Sequence, residues 1–312
     1  ELNLIVSGCH LTDFHNFSFK LIKKDKFKIL EKIYSLKNNN FKDENRSTAV
    51  SVLVARLSIL VKKYKPDCIV VVGDREEAIA SSIVGNYCKV VVAHIAGGDK
   101  AYGNADDPIR FATSKLSNIH FVFSKQNKHN LIKFGEDSFR IFNTGNPSLS
   151  NIEKTKKISL KVISQKLKSK LQKKNYIILI QHPISSESQK TRQHFTNSLN
   201  ALLRFSERKD NFKIVCIKPN VDPGSQEIVK IYEKNKKHKN FLICNNLETD
   251  IFVNLVSNSF CIAGNSSMGL LESAFYNLFA LNIGNRQKGR INPGNVIFVK
   301  NNVNSFLKGL KK

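Results

Sequence analysis

Tryptophan is missing from this 312-residue chain, methionine appears once, and acidic residues number 25 against 50 lysines and arginines. The resulting net charge of +25 raises a nucleic-acid or membrane partner. The features that would make a nucleic-acid partner specific are absent: zinc-finger spacing, an RNA-recognition aromatic pattern, a basic heptad array. Lysine far outnumbers arginine and asparagine is abundant, the usage an AT-rich coding sequence produces. The lysines are scattered apart from a cluster across 154–174, so no nucleic-acid partner is expected. No apolar run approaches the roughly 20 residues needed to span a bilayer, and no signal-peptide pattern opens the chain. No membrane partner is expected either. The six cysteines are widely spaced, with no CxxC and no Cys/His pairing at metal spacing. That argues against a disulfide framework or a zinc site and for reduced, buried thiols in the cytoplasm. Walker A and GxGxxG fingerprints are also missing, and no cofactor or metal is called for.

What is present is ordinary for a globular protein: 41% hydrophobic and 24% charged residues, in a length that suits one large or two medium domains. The chain is organised around the stretch from Cys68 to Arg110. Two buried-strand patterns there each run into a polar cluster. Cys68 to Val72 leads into Gly73-Asp74-Arg75, and Lys89 to Ala93 leads into His94-Ile95-Ala96-Gly97-Gly98-Asp99. A third cluster, Asn104-Ala105-Asp106-Asp107, precedes a helix start at Pro108, with Asp107 a candidate N-cap before a proline at the first helical position. Parallel strands of an open α/β sheet present ligand-binding residues just beyond their carboxyl ends. Any one of these acids also suits a cap or a turn. Three clusters together point to chemistry.

Around this stretch the periodicity alternates between strand and helix. Leu2–Ser7 reads as a strand, Thr48–Lys63 as a helix stopped by Pro66, and Cys68–Val72 as a strand covered on both faces. Helices over EEAIASSIVG, Pro108–Leu116 and Lys125–Phe134 alternate with strands Ile119–Phe123 and Arg140–Phe142. The Lys-rich segment 151–174 reads as an interdomain linker running into a surface helix. Beyond it six more strands are expected, at Tyr176–Ile180, Phe212–Ile217, Phe241–Cys244, Phe260–Ala263, Phe279–Ile283 and Val296–Val299. Such alternation implies mostly parallel sheets, in domains 1–148 and 149–312.

In the second domain Gly264-Asn265-Ser266-Ser267-Met268-Gly269 follows a strand and opens a helix. Small residues there let backbone N–H groups approach a phosphate whose charge the helix dipole favours, although serine or asparagine at a helix start is also an ordinary cap. Glu272 falls a little over one turn into that helix, where a carboxylate can take two hydrogen bonds from a ribose diol. His182, before Pro183, stands at the end of a strand on the same crest. Arg286 and Arg290 supply permanent cations for a diphosphate, unless they are simply solvated.

Taken in order, GDRE at 73–76, HIAGG at 94–98, GNADDPIRFATSKLSNIHF at 103–121 and FGEDSFRIFNTGNP at 134–147 resemble the hydrolysing UDP-N-acetylglucosamine 2-epimerases that feed sialic and related nonulosonic acid pathways. The resemblance continues through QHP at 181–183, KPN at 218–220, GNSSMGLLES at 264–273 and IGNRQKGR at 283–290, so it covers nearly the whole chain. It implies two Rossmann-like domains facing across a cleft, the GT-B architecture, with catalysis in the first and nucleotide binding in the second. It implies Asp74, Asp99, Asp106 and His182 as catalytic residues. Arg75, Asp107, Arg110, Gly264, Asn265, Ser266, Ser267, Glu272, Arg286 and Arg290 are implied on the substrate. The implied reaction removes the C2 proton of the sugar as UDP leaves C1, then hydrates the glycal to an N-acetylmannosamine-type sugar. Which acid is the base stays open, as do UDP-N-acetylglucosamine against UDP-N,N′-diacetylbacillosamine, and UDP against GDP. The assembly is open too, with a homodimer admitted.

Two departures from the family carry expectations. Phe111 stands where relatives commonly have histidine, which is expected to alter substrate contacts or weaken activity. A strand with an arginine-bearing loop normally precedes the one at Leu2, so the chain reads as a fragment expected to bind UDP and turn over little. A GT-B glycosyltransferase and a non-catalytic sugar-nucleotide-binding protein are the competing readings.

Overall fold

The structure, a computed structural model, describes residues 1–13, 17–36, 43–100, 106–219, 222–245 and 247–311. The chain divides at Pro147 into a unit of Glu1–Pro147 and a unit of Ser148–Lys312. Both are α/β with parallel strands, as the alternating patterns predict. Among the described residues no helix is long and apolar enough to cross a membrane.

In the first unit β1 (Asn3–Ser7) pairs in parallel with β2 (Lys28–Ile33). The short helix α1 (Phe19–Lys24) stands between them in sequence, and α2 (Asp43–Tyr64) follows. A second sheet takes its strands in sequence order: β3 (Cys68–Val72), β4 (Val91–Ile95), β5 (Ile119–Val122) and β6 (Ile141–Asn143). Helices α3 (Glu76–Tyr87), α4 (Asp106–Lys115) and α5 (Lys125–Lys133) make the crossovers. A core of Leu53, Leu57, Leu60, Val61, Ala80 and Val84 joins α2 to α3, with Ile33 of β2 and Ile69 of β3 packed into it. The helical spacing of the apolar residues in 48–63 is therefore the face of α2 that α3 covers.

β3 is not covered on both faces. It stands at the edge of its sheet, and Val70 and Val72 are 53% and 61% exposed while Val71 between them is buried. An apolar run records β propensity as well as burial, and here only one face of the pleat is packed.

The second unit builds one six-stranded sheet from β7 (Tyr176–Ile180), β8 (Lys213–Ile217), β9 (Phe241–Cys244), β10 (Cys261–Gly264), β11 (Ala280–Ile283) and β12 (Val296–Val299). Its order is β12-β11-β10-β7-β8-β9, so the winding reverses between β7 and β10. β7 is covered on both faces. Ile177 and Leu179 face a core with Phe195, Leu199 and Phe212, whereas Tyr176, Ile178 and Ile180 face Ile251, Leu255 and Ile262. Each such side chain contributes about 1.5–3 kcal/mol by leaving water.

The segment 151–174 is not a linker. Helices α6 (Pro147–Lys154) and α7 (Leu160–Lys166) occupy it, and Ile163 and Leu171 are buried in the core of the second unit. The lysines are the solvent side of an amphipathic segment whose apolar side belongs to the domain.

Candidate functional site

Each unit carries a crest of polar residues at the carboxyl ends of its parallel strands. In the first, Asp74 lies in the turn between β3 and α3. Gly73, at φ +73°, donates its N–H to the Ile95 carbonyl (2.9 Å), which ties this turn to the end of β4. Asp99 follows β4 through Ala96-Gly97-Gly98. A side chain on Gly98 (φ +72°) would run into the Asn127 carbonyl, so the backbone can pass this close to α5 only with glycine.

Arg110, 6% exposed on α4, joins the two acids. Its Nη1 donates to Asp99 Oδ2 at 2.8 Å and to the Asp99 carbonyl at 3.0 Å, and its Nη2 pairs with Asp74 Oδ2. Burial opposes the guanidinium charge, but Asp74 and then Asp99 outweigh it, and the Arg110 pKa stands above its ordinary value. Arg110 is thus engaged by two carboxylates of the acidic clusters.

α4 begins at Asp106, so Asp106 and Asp107 both lie in its first turn and Pro108 is its third residue rather than its first. Proline is accepted there because the first N–H groups of a helix have no intrahelical partner. The Asp106 side chain and residues 101–105 of the acidic cluster lie outside the described residues. Arg75 occupies the N-cap of α3, whose first turn carries Glu76 and Glu77. The Phe111 ring does not join the acids. It packs against Phe134 (centroids 4.9 Å apart) and a core of Val122, Leu131 and Ile141.

The crest of the second unit gathers where its winding reverses. His182 follows β7, Gly264 ends β10 and Asn265 follows it. Gly264 has φ +133°, and a Cβ there would overlap the Ile180 carbonyl of the neighbouring strand, so only glycine permits this approach. Asn265, 2% exposed, spends its side chain on His182. Its Oδ1 accepts from the His182 N–H at 2.7 Å and its Nδ2 donates to the His182 carbonyl at 2.8 Å. The Asn265 carbonyl in turn accepts from Gln287 Nε2 (2.7 Å) and Arg286 Nη1 (3.2 Å). Arg290 Nη1 donates to Gln287 Oε1 at 2.5 Å. Arg286 also stands 3.9 Å from buried Asp222. Neither arginine is simply solvated. Asp222 has no motif to announce it, and Gln287 was legible only as part of NRQKGR.

The helix opened by the glycine-serine motif, Met268–Leu271, is a single turn. Ser266 Oγ accepts from the Met268 N–H at 3.4 Å, and Ser267 occupies the N-cap. Glu272 is therefore the C-terminal cap of this turn and not a residue inside a helix. Burial pushes its carboxyl up to about 7. Asn220 of the KPN motif lies outside the described residues, and among those described no three His, Cys, Asp or Glu side chains gather to hold a metal.

The family model for UDP-N-acetylglucosamine 2-epimerase matches residues 1–312. The chain belongs to this epimerase family. A UDP-N,N′-diacetylbacillosamine 2-epimerase (hydrolyzing) of Legionella pneumophila is 30% identical over 312 residues, 100% of this chain and 81% of the relative. A GDP/UDP-N,N′-diacetylbacillosamine 2-epimerase (hydrolyzing) of Campylobacter jejuni is 31% identical over 300 residues, 95% of this chain and 76% of the relative. Among solved structures, UDP-GlcNAc 2-epimerase of Neisseria meningitidis bound to UDP-GlcNAc superposes with a TM-score of 0.80 at 20% identity, over 96% of this chain and 81% of that one. That likeness shows the shared GT-B-type fold. As an epimerase-family member the chain is an enzyme by descent, and its two crests are the places to assign chemistry.

Proposed function

We propose that this protein is a hydrolysing 2-epimerase that converts a UDP-2-acetamido sugar and water to UDP and the free, C2-inverted sugar. The observation that carries the reading is the pair Asp74 and Asp99 held by one buried arginine. The bridge fixes the positions of two carboxylates at the ends of neighbouring strands, and a positioned carboxylate can take a proton from carbon. In the first half, a carboxylate of the first unit removes the C2 proton while the C1–O bond breaks and UDP departs with its electron pair. In the second half, water adds across the C1–C2 double bond, hydroxyl to C1 and proton to the opposite face of C2. Asp74, Asp99 and Asp106 are the proposed acid–base group. Arg110 orients the first two, and Arg75 and Asp107 are proposed to contact the sugar.

The second unit is proposed to hold the nucleotide. Gly264, Ser266 and Ser267 offer a close-approach backbone and two hydroxyls, and Glu272 accepts from the ribose diol. His182, whose main chain Asn265 holds, is proposed to donate to the diphosphate as it leaves, with Arg286 and Arg290 adding positive charge. The relatives named above favour UDP-N,N′-diacetylbacillosamine and UDP-N-acetylglucosamine as the two sugars to test.

Reaction in heavy water decides the matter. The reading requires free UDP and an inverted sugar carrying deuterium at C2. A glycosyltransferase or simple hydrolase leaves the C2 hydrogen untouched, and a binding protein releases no UDP. Sugar released with its original hydrogen and configuration would remove the reading.

A further inference from the structure

His94 was expected just beyond a strand ending at Ala93, but β4 runs to Ile95 and His94 lies inside it, fully buried between Val71 of β3 and His120 of β5. It is a histidine spent on two neighbours. Its Nε2 is 2.8 Å from the carbonyl of Gly73, the residue before Asp74. Its Nδ1 is 3.0 Å from Ser114 Oγ on α4, and that hydroxyl lies 3.1 Å from the carbonyl of Arg110, one turn earlier. The turn that precedes Asp74 and the helix that carries Arg110 therefore meet at a single imidazole.

The proton positions follow from the partners. A carbonyl only accepts, so Nε2 carries hydrogen and donates to Gly73. The ring is neutral, because burial pushes its pKa down to about 4, so Nδ1 is an acceptor and Ser114 donates to it. The Gly73 turn needs such an anchor. Its carbonyl is part-buried and accepts from this ring, and a carbonyl turned from water without a donor is costly.

We propose that His94 is a positioning residue, which clamps the Gly73–Asp74 turn to α4 and so sets the Asp74–Arg110 geometry for the C2 chemistry. The role rests on the reaction proposed above. It differs from space-filling, because it depends on one donor at the Nε2 position and not on the volume of the ring.

The test uses the full chain and compares His94→Phe with His94→Gln. Phenylalanine fills the space with no polar atom, whereas the glutamine amide reaches the Nε2 position and donates to Gly73. His94→Phe should lower kcat for UDP release about 100-fold, the scale of a misplacement near 1 Å, with KM and UDP affinity unchanged. His94→Gln should recover most of that loss. Nitrogen-15 NMR of the histidine-labelled wild type adds a measurement that no folding defect can obscure, and it should find His94 neutral with hydrogen on Nε2. Equal losses in the two variants, kcat near wild type in His94→Phe, or a proton on Nδ1 would each overturn the clamp. Wild-type protein that releases no UDP from either sugar nucleotide overturns the assigned reaction instead, and the positioning role goes with it.

Discussion

Asn265 grips the main chain of His182 at both polar atoms, accepting from its N–H at 2.7 Å and donating to its carbonyl at 2.8 Å across 83 residues of sequence. Glycine 264 brings the two strand ends close enough for this, since its missing Cβ is what lets β10 pass the Ile180 carbonyl. The pair sits where the second sheet reverses its winding, the place such sheets use for ligands.

Asn265→Ala should therefore act through His182. It removes both hydrogen bonds that Asn265 makes to the part-buried His182 main chain, at a cost of about 1–3 kcal/mol. UDP affinity measured by calorimetry should fall, and the variant should melt at a lower temperature. Asn265→Asp keeps the acceptor and loses the donor, so it should fall between alanine and wild type. Equal affinity in all three proteins would show that His182 needs no clamp.

Glu272 makes UDP binding depend on pH. Its folded pKa of about 7 lies above the ordinary 4.5 because burial disfavours the carboxylate. Ribose hydroxyls donate to the charged form, so UDP affinity should rise as pH increases through about 7, with proton release on binding below that value. Folding stability runs the other way. A raised folded pKa means that the contribution is present below about 4.5 and lost as pH climbs to about 7, a change on the order of 3 kcal/mol at about 1.4 kcal/mol per unit. Glu272→Gln should flatten both profiles. Calorimetry in two buffers of different ionisation heat reads the proton release directly, and a pH-independent UDP affinity in the wild type would sink this role.

Much of this arrangement was legible in the chain, and what was not has physical reasons. The six strands of the second unit stand out because both faces of its central strands are buried, so apolar runs and strand ends coincide. β2 was missed, since Lys28, Glu31 and Lys32 interrupt a half-exposed strand that reads as loop. The α7 segment was misread because nine lysines between 154 and 174 outweigh Ile163 and Leu171, which are buried in the core, and Ile158, Leu160 and Leu167, which pack against it. The acids Asp74 and Asp99 were legible from the strands that end beside them. That one arginine would hold both, or that His94 would sit within a strand and anchor the turn, depends on side-chain reach between elements. No local pattern carries that information.

Phe111 was expected to alter substrate contacts or weaken activity, and its partly buried ring packs against Phe134 and a core of Val122, Leu131 and Ile141. Phe111→His, the residue common among relatives, should cost about 1–2 kcal/mol through the lost edge-to-face contact with Phe134 and the apolar burial around it. UDP affinity and kcat should stay at wild-type values. An increase in kcat on this substitution would place the position in the site after all.

Arg110 gives the sharpest contrast between stability and binding. Its side chain is 7% exposed, and those of Asp74 and Asp99 are 15% and 9% exposed. Arg110→Met keeps much of the volume but leaves two carboxylates buried side by side without their cation. Breaking such a pair from one side costs about 3–5 kcal/mol, because the arginine no longer compensates a largely desolvated charge. The urea midpoint at pH 7 should drop accordingly. Adding Asp74→Asn to Arg110→Met should restore part of the loss at pH 7, since one uncompensated charge is gone, and a double-mutant cycle measures the coupling. Deuterium incorporation at C2 should vanish in every one of these variants, while UDP affinity, assigned to the second unit, should hold. An Arg110→Met protein as stable as wild type at pH 7 would mean that the bridge between Asp74 and Asp99 does not order the acidic crest.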